Sequence, residues 1–134
     1  ASYEGVIREA GARTTTPAGY QMGTMWTTGD QAEFASGLRC VAGHEPVLDM
    51  MGRIVDYQHW GLGRIGGARF KGGWNHHEGG HLARQFGLIP GPNGDIAVAI
   101  TAHSPKGHEG SFAMLSELAN GLNAMRGDLP TSRC

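Results

Sequence analysis

The apolar positions change their spacing once along the chain, near Trp60. Before it they recur at helical intervals. After it they fall in short stretches bounded by glycine, which reads as strand. Ser2 to Ala10 predicts a short helix, with Ser2 as its cap, Tyr3, Val6 and Ile7 on one face, and Gly11 at its end. Residues 12–21 (ARTTTPAGYQ) predict a loop, since Thr, Pro and Gly compete with regular structure. A second helix is expected from Asp30 to Arg39, capped by Thr27 or Thr28 and burying Phe34 and Leu38. Asp30 then stands in the first turn, where the helix dipole favours a carboxylate. A third is expected from Glu45 to Tyr57, because Val47, Leu48, Met51, Ile54 and Val55 share a face.

Beyond Trp60 the pattern predicts sheet. Gly61 to Phe70 reads as extended and Gly-rich, Leu82 to Pro90 as a second strand and Asp95 to Ala102 as a third. Gly91-Pro92-Asn93-Gly94 is a hairpin turn signal between the last two. After a polar loop, His103 to Gly110, a final helix is expected over Ser111 to Met125, burying Phe112, Leu115, Leu118, Ala119 and Leu122. The order is helices, a three-stranded antiparallel meander, then a C-terminal helix laid on the sheet. That is an α+β fold in one domain over 1–134: mainly helical to residue 59, sheet over 60–102, loop and helix from 103.

Composition narrows the function classes. Eleven basic and twelve acidic residues leave a net charge of −1, which argues against a nucleic-acid surface or a basic membrane patch. No apolar run approaches the ~20 residues that span a bilayer. The 23 glycines are dispersed among apolar segments, so they predict tight turns and close backbone approaches rather than disorder. Cys40 and Cys134 form no metal or redox motif, and Cys134 is the last residue, so reduced thiols are the expectation. Trp60 and Trp74 are expected to pack beside the strand. Met22, Met25, Met50, Met51 and Met114 are expected to fill the core, since thioethers adapt to irregular gaps.

The candidate chemistry centres on Phe70-Lys71-Gly72-Gly73-Trp74. Lys71 is a lone cation at a strand end, and the two glycines after it let a ligand approach the main chain. The next strand delivers a second cation, Arg84. A Lys and an Arg on neighbouring strands beside bare backbone suit an anionic substrate and an oxyanion. A rival pattern overlaps the same stretch: His77-Glu78-Gly79-Gly80-His81 fits H-E-x-x-H, the zinc-peptidase motif. That chemistry needs a helix, so that both imidazoles share a face with Glu78 as general base. Two consecutive glycines cost a helix roughly 1 kcal/mol each, so a polar hairpin is the expectation here. A third ligand would have to come from His76, His103 or His108. Gly61-Leu62-Gly63-Arg64-Ile65-Gly66 fits G-x-G-x-x-G, but it lacks the preceding strand, the following helix and the acidic partner of a nucleotide site.

From Gly23 to Leu122 the chain resembles the C-terminal part of the class A β-lactamase-like, penicillin-recognising serine hydrolases. Thr27-Thr28-Gly29-Asp30-Gln31, with Phe34 and Leu38, is similar to the helix start after that family's omega loop. Gln58-His59-Trp60-Gly61-Leu62 resembles the approach to its third strand, and Phe70-Lys71-Gly72-Gly73-Trp74 its Lys-Thr/Ser-Gly motif. Arg84, seven residues before Gly91-Pro92, stands where members carry an Arg on the next strand. The strand Ile96 to Ile100 and the last helix complete the order.

The resemblance implies a seryl acyl-enzyme acting on a β-lactam, peptide or ester carbonyl in a substrate carrying a carboxylate. It implies no cofactor, and a bacterial extracytoplasmic or secreted setting. Lys71 would hold positive potential over the site, the Trp74 N–H would be an oxyanion donor, Gly72 and Gly73 would line the substrate, and Arg84 would pair with its carboxylate. The chain departs from the pattern in three ways. It has no Ser-x-x-Lys and no Ser-Asp-Asn; Gly72 replaces the hydroxyl residue; and no acid precedes Gly23 where the deacylating glutamate would stand. A nucleophile-bearing segment or partner chain is therefore expected to complete such an enzyme. A non-catalytic binding or self-assembling relative is the alternative, and a zinc metallopeptidase using His77, Glu78 and His81 the third reading.

Overall fold

The computed structural model describes residues 2–18 and 23–134. The chain is α+β: the described residues form four α-helices and a three-stranded antiparallel sheet in the order β1-β2-β3. The strands are β1 (Arg69–His77), β2 (Gly80–Ile89) and β3 (Ile96–Ser104), and the helices are α1 (Tyr3–Glu9), α2 (Thr28–Ser36), α3 (Glu45–Met51) and α4 (Gly107–Met125). The helix starts follow local chemistry. The Ser2 hydroxyl accepts a bond from the Gly5 N–H at 2.9 Å, and the Thr27 hydroxyl one from the Asp30 N–H at 3.1 Å.

Strand alternation sorts the sheet into two faces. Phe70, Ala83, Val98, Ile100 and Ala102 bury against Leu115 and Ala119 of α4, with Leu62 and Ile65 of the segment before β1 completing that core. Leu88 and Phe86 lie on the opposite face with Phe34, Leu38, Leu48 and Met51 from the helical N-terminal part. The period of two therefore divides each strand between two cores, which is why every residue of β2 is buried or half-buried. Buried Gln85 links the layers. Its Oε1 accepts the Leu62 N–H at 2.7 Å and its Nε2 donates to the Trp60 carbonyl at 2.8 Å.

Several predicted boundaries are corrected. The third helix stops at Met51, where Gly52 caps it, leaving Val47 and Val55 exposed and only Leu48 and Met51 buried. Residues 61–70 are not simply extended, since Gly61–Arg64 forms a 3₁₀ turn and the strand starts at Arg69. α4 begins at Gly107, one turn earlier than its apolar spacing implies, and Leu118 lies exposed. Met25, Met50 and Met114 are exposed as well, so of the described methionines expected inside only Met51 is buried; Met22 lies outside the described residues. No helix among the described residues is long and apolar enough to cross a membrane.

The cysteines are not free thiols. Cys40 and Cys134 form a disulfide, with Cα atoms 5.5 Å apart and a sequence separation of 94. Backbone bonds draw the last residues back across the fold: Ser132 N–H to the Asp95 carbonyl at 2.7 Å, and Arg133 N–H to the Ser36 carbonyl at 3.1 Å. The Arg133 guanidinium also donates to the Ala10 carbonyl. Nearby, Arg39 pairs with Asp95 at 2.7 Å. These contacts hold Cys134 beside Cys40, which linear position could not reveal.

Candidate functional site

The register sets the geometry of the Lys71–Arg84 region. Gly73 is the direct cross-strand partner of Arg84, and Lys71 that of Phe86. Lys71 and Arg84 thus lie on one face as diagonal neighbours, roughly 7–8 Å apart along the sheet. Neither takes part in an ion pair among the described residues. Lys71 is exposed, and its Nζ donates to the Gly72 carbonyl at 2.6 Å and to Gln58 Oε1 at 3.3 Å. Arg84 is half-buried and donates to the Trp26 carbonyl at 2.9 Å. It lines a cleft of about 470 Å³ with Thr24, Trp26, Thr27, Asn75 and His77. Lys71 does not reach that cleft.

The two glycines differ. A Cβ on Gly73 would meet nothing within 4 Å, so backbone is open to a ligand there. A Cβ on Gly72 would come 2.8 Å from the Trp60 ring, on the α4 face. Gly72 is thus a packing requirement, and a hydroxyl residue could not replace it without displacing Trp60. Trp74 shares that face. It is partly exposed and meets Trp60 and Phe112 edge-on, while Trp60 and Phe112 stack with centroids 4.1 Å apart. The side chains of Lys71 and Trp74 therefore leave β1 on opposite faces. As an edge strand, β1 leaves alternate backbone groups without strand partners, the type of donor an oxyanion needs.

The H-E-x-x-H stretch is a hairpin. His77 pairs with Gly80, and the two residues between them, Glu78 (φ 46°) and Gly79 (φ 74°), both take the left-handed region that a tight two-residue hairpin turn demands. His77 and His81 consequently sit on opposite faces of the sheet, and Glu78 points from an exposed turn. The three do not converge as on a zincin helix.

A different set of histidines does converge. His76 on β1 and His81 on β2 are cross-strand partners with ring centroids 4.5 Å apart. His108, in the first turn of α4, lies 4.6 Å from His81 and 5.3 Å from His76 by the same measure. Burial pulls the His81 pKa below the ordinary histidine value, and His76, His108 and His103 lower it further by repulsion. Phe112, one turn along α4, stacks beside His108 and joins the cluster to the Trp60–Trp74 aromatic layer. The Ser111 hydroxyl donates to the His81 carbonyl and fastens β2 to α4. The signal for this set lay in the register, since a two-residue turn at 78–79 makes 76 and 81 partners. The early start of α4 supplies the third member. His77 and His103 form a separate pair on the other face, where His103 Nε2 donates to the His77 carbonyl at 2.6 Å.

In comparison with known proteins, the chain matches no family model, no curated protein and no solved structure.

Proposed function

We propose that this chain is the sheet-bearing part of a β-lactamase-like or D-Ala-D-Ala-peptidase-like serine hydrolase, whose nucleophile is contributed by polypeptide outside these 134 residues. The observation that carries this reading is the juxtaposition of Lys71 and Arg84 on one face of adjacent strands, with bare Gly73 opposite Arg84. Two cations without ion-pair partners among the described residues, beside open backbone, suit a carboxylate and the negative charge of an acyl-transfer transition state. Lys71 supplies potential, which also favours a deprotonated serine. Arg84 offers a forked guanidinium to the substrate carboxylate. The Trp74 N–H serves as oxyanion donor from the strand edge, and the Gly72 and Gly73 backbone lines the substrate. The substrate class is a small molecule or peptide with a carboxylate next to a strained or activated carbonyl. The Cys40–Cys134 disulfide fits an oxidising, extracytoplasmic setting.

A second reading, a non-catalytic self-assembling domain, is favoured by one surface. Met114, Leu118 and Met125 are exposed along α4, beside Ile100 on the edge strand β3. Either a nucleophile-bearing polypeptide or a second copy would cover this apolar row.

The test is native and denaturing mass of the protein from its natural source, combined with labelling by a fluorescent β-lactam. An acyl adduct on a longer form, or on a co-purifying chain bearing Ser-x-x-Lys, is the expected result. A lone 14.2 kDa species that takes no label, as monomer or homo-oligomer, removes the hydrolase reading. A homo-oligomer dispersed by Leu118→Glu would support the second.

A further inference from the structure

We propose that His76, His81 and His108 form a binding site for a late first-row divalent metal ion of the zinc class, joining the β1–β2 hairpin to the start of α4. Each imidazole offers one ring nitrogen, and the three nitrogens lie within 4.8 Å of one another. Zinc–nitrogen bonds of about 2.0–2.1 Å at tetrahedral angles bring such donors to roughly 3.3 Å apart. Two of the three rings carry an independent mark. His81 Nδ1 and His108 Nδ1 are buried and have no hydrogen-bond partner among the described residues. Buried polar atoms in native folds are almost always paired, because an unpaired one costs about 1–3 kcal/mol. A metal ion bound through these two Nδ1 atoms removes both deficits at once.

The donor set selects the ion. Three imidazoles and no carboxylate suit Zn²⁺, Co²⁺, Ni²⁺ or Cu²⁺ and disfavour Ca²⁺ and Mg²⁺, which take oxygen ligands. Three protein ligands leave a fourth position for water or another small ligand. The frame is firm on two sides. His76 and His81 are fixed by strand register across a two-residue turn, and the Ser111 bond to the His81 carbonyl ties β2 to the helix that carries His108. Phe112 and Trp74 give the site an apolar flank, which strengthens metal–ligand electrostatics by limiting water. His77 and Glu78 of the H-E-x-x-H stretch are not ligands, since they leave the hairpin elsewhere.

The experiment is calorimetric titration of the full chain with Zn²⁺, with Co²⁺ absorption as a readout of coordination. Expected are one ion per chain, a higher melting temperature with metal, and the intense visible bands of four-coordinate Co²⁺. His76→Ala and His108→Gln should each weaken Zn²⁺ binding at least tenfold and abolish the Co²⁺ bands, whereas His77→Ala should change neither. His76 is exposed on an edge strand, so His76→Ala keeps the test sound even if the His108 variant fails to fold. The proposal is overturned by absence of saturable binding, by stoichiometric binding that survives His76→Ala, or by binding lost only in His77→Ala.

Discussion

Gly72 lies beneath the ring of Trp60, where a Cβ would approach Cη2 to 2.8 Å. The contact fixes glycine in the second position of the Lys71-Gly72-Gly73 run, because the indole is itself held flat on Phe112. Gly72→Thr, which would create a Lys-Thr-Gly run, is expected to destabilise the protein by about 1–3 kcal/mol through overpacking. Gly73→Ala, with open space at its Cβ, should cost well under half of that. Urea unfolding of the two variants measures the difference, and equal losses would refute the packing account.

Gln85 is a buried side chain with two bonds to one loop. Gln85→Leu preserves volume but strands the Leu62 N–H and the Trp60 carbonyl. The expected loss is roughly 2–5 kcal/mol, the sum of two orphaned backbone groups at about 1–3 each, less whatever water recovers. Amide exchange should show the Leu62 N–H becoming unprotected before β2 does.

The disulfide closes a loop by joining Cys40 to Cys134 across a sequence separation of 94. Chain-entropy reasoning assigns such a loop roughly 4–5 kcal/mol, with measured values for native bridges about 2–5. Unfolding with and without reductant should show a loss in that range, with the Cys134→Ser variant matching the reduced protein. An unchanged midpoint would mean that the tail's hydrogen bonds suffice alone.

Asp30 couples stability to acid. Burial raises its pKa, but bonds from the Thr15 hydroxyl and from the Thr14 and Arg13 backbone N–H groups outweigh this, and the net shift is downward. A depressed folded-state pKa contributes stability above the unfolded value of about 3.9 and loses it as pH falls through the lower folded value. Asp30→Asn should therefore be less stable at neutral pH and show a flatter stability profile below about pH 4. A parallel offset at every pH would contradict the assignment.

Glu78 adopts φ 46°, which a side chain rarely favours, in a turn where Asn-Gly is the preferred pair. Glu78→Asn is expected to raise stability by about 0.5–1 kcal/mol. Urea unfolding measures the gain, and a loss of stability would contradict the turn assignment.

Local chemistry made much of the fold legible in the sequence. Ser2 and Thr27 announce helix starts by their capping hydroxyls, Gly91-Pro92-Asn93-Gly94 announces a turn, and the change of period at Trp60 separates helix from sheet. These signals depend on interactions within a few residues, so a linear reading reaches them. Lys71, Gly73 and Arg84 were visible as two cations beside glycine, and strand pairing sets them on one face. The tertiary structure decided what depends on distant partners. It closed the Cys40–Cys134 bridge by folding the tail onto Ser36 and Asp95. It made Gly72 a contact of Trp60. It gave the hairpin expected at His77-Glu78-Gly79-Gly80-His81 a register that parts His77 from His81, and packed α4 so that His76, His81 and His108 come together. A one-residue difference along a strand reverses the face a side chain occupies, so only register, set by the whole fold, could choose which histidines meet.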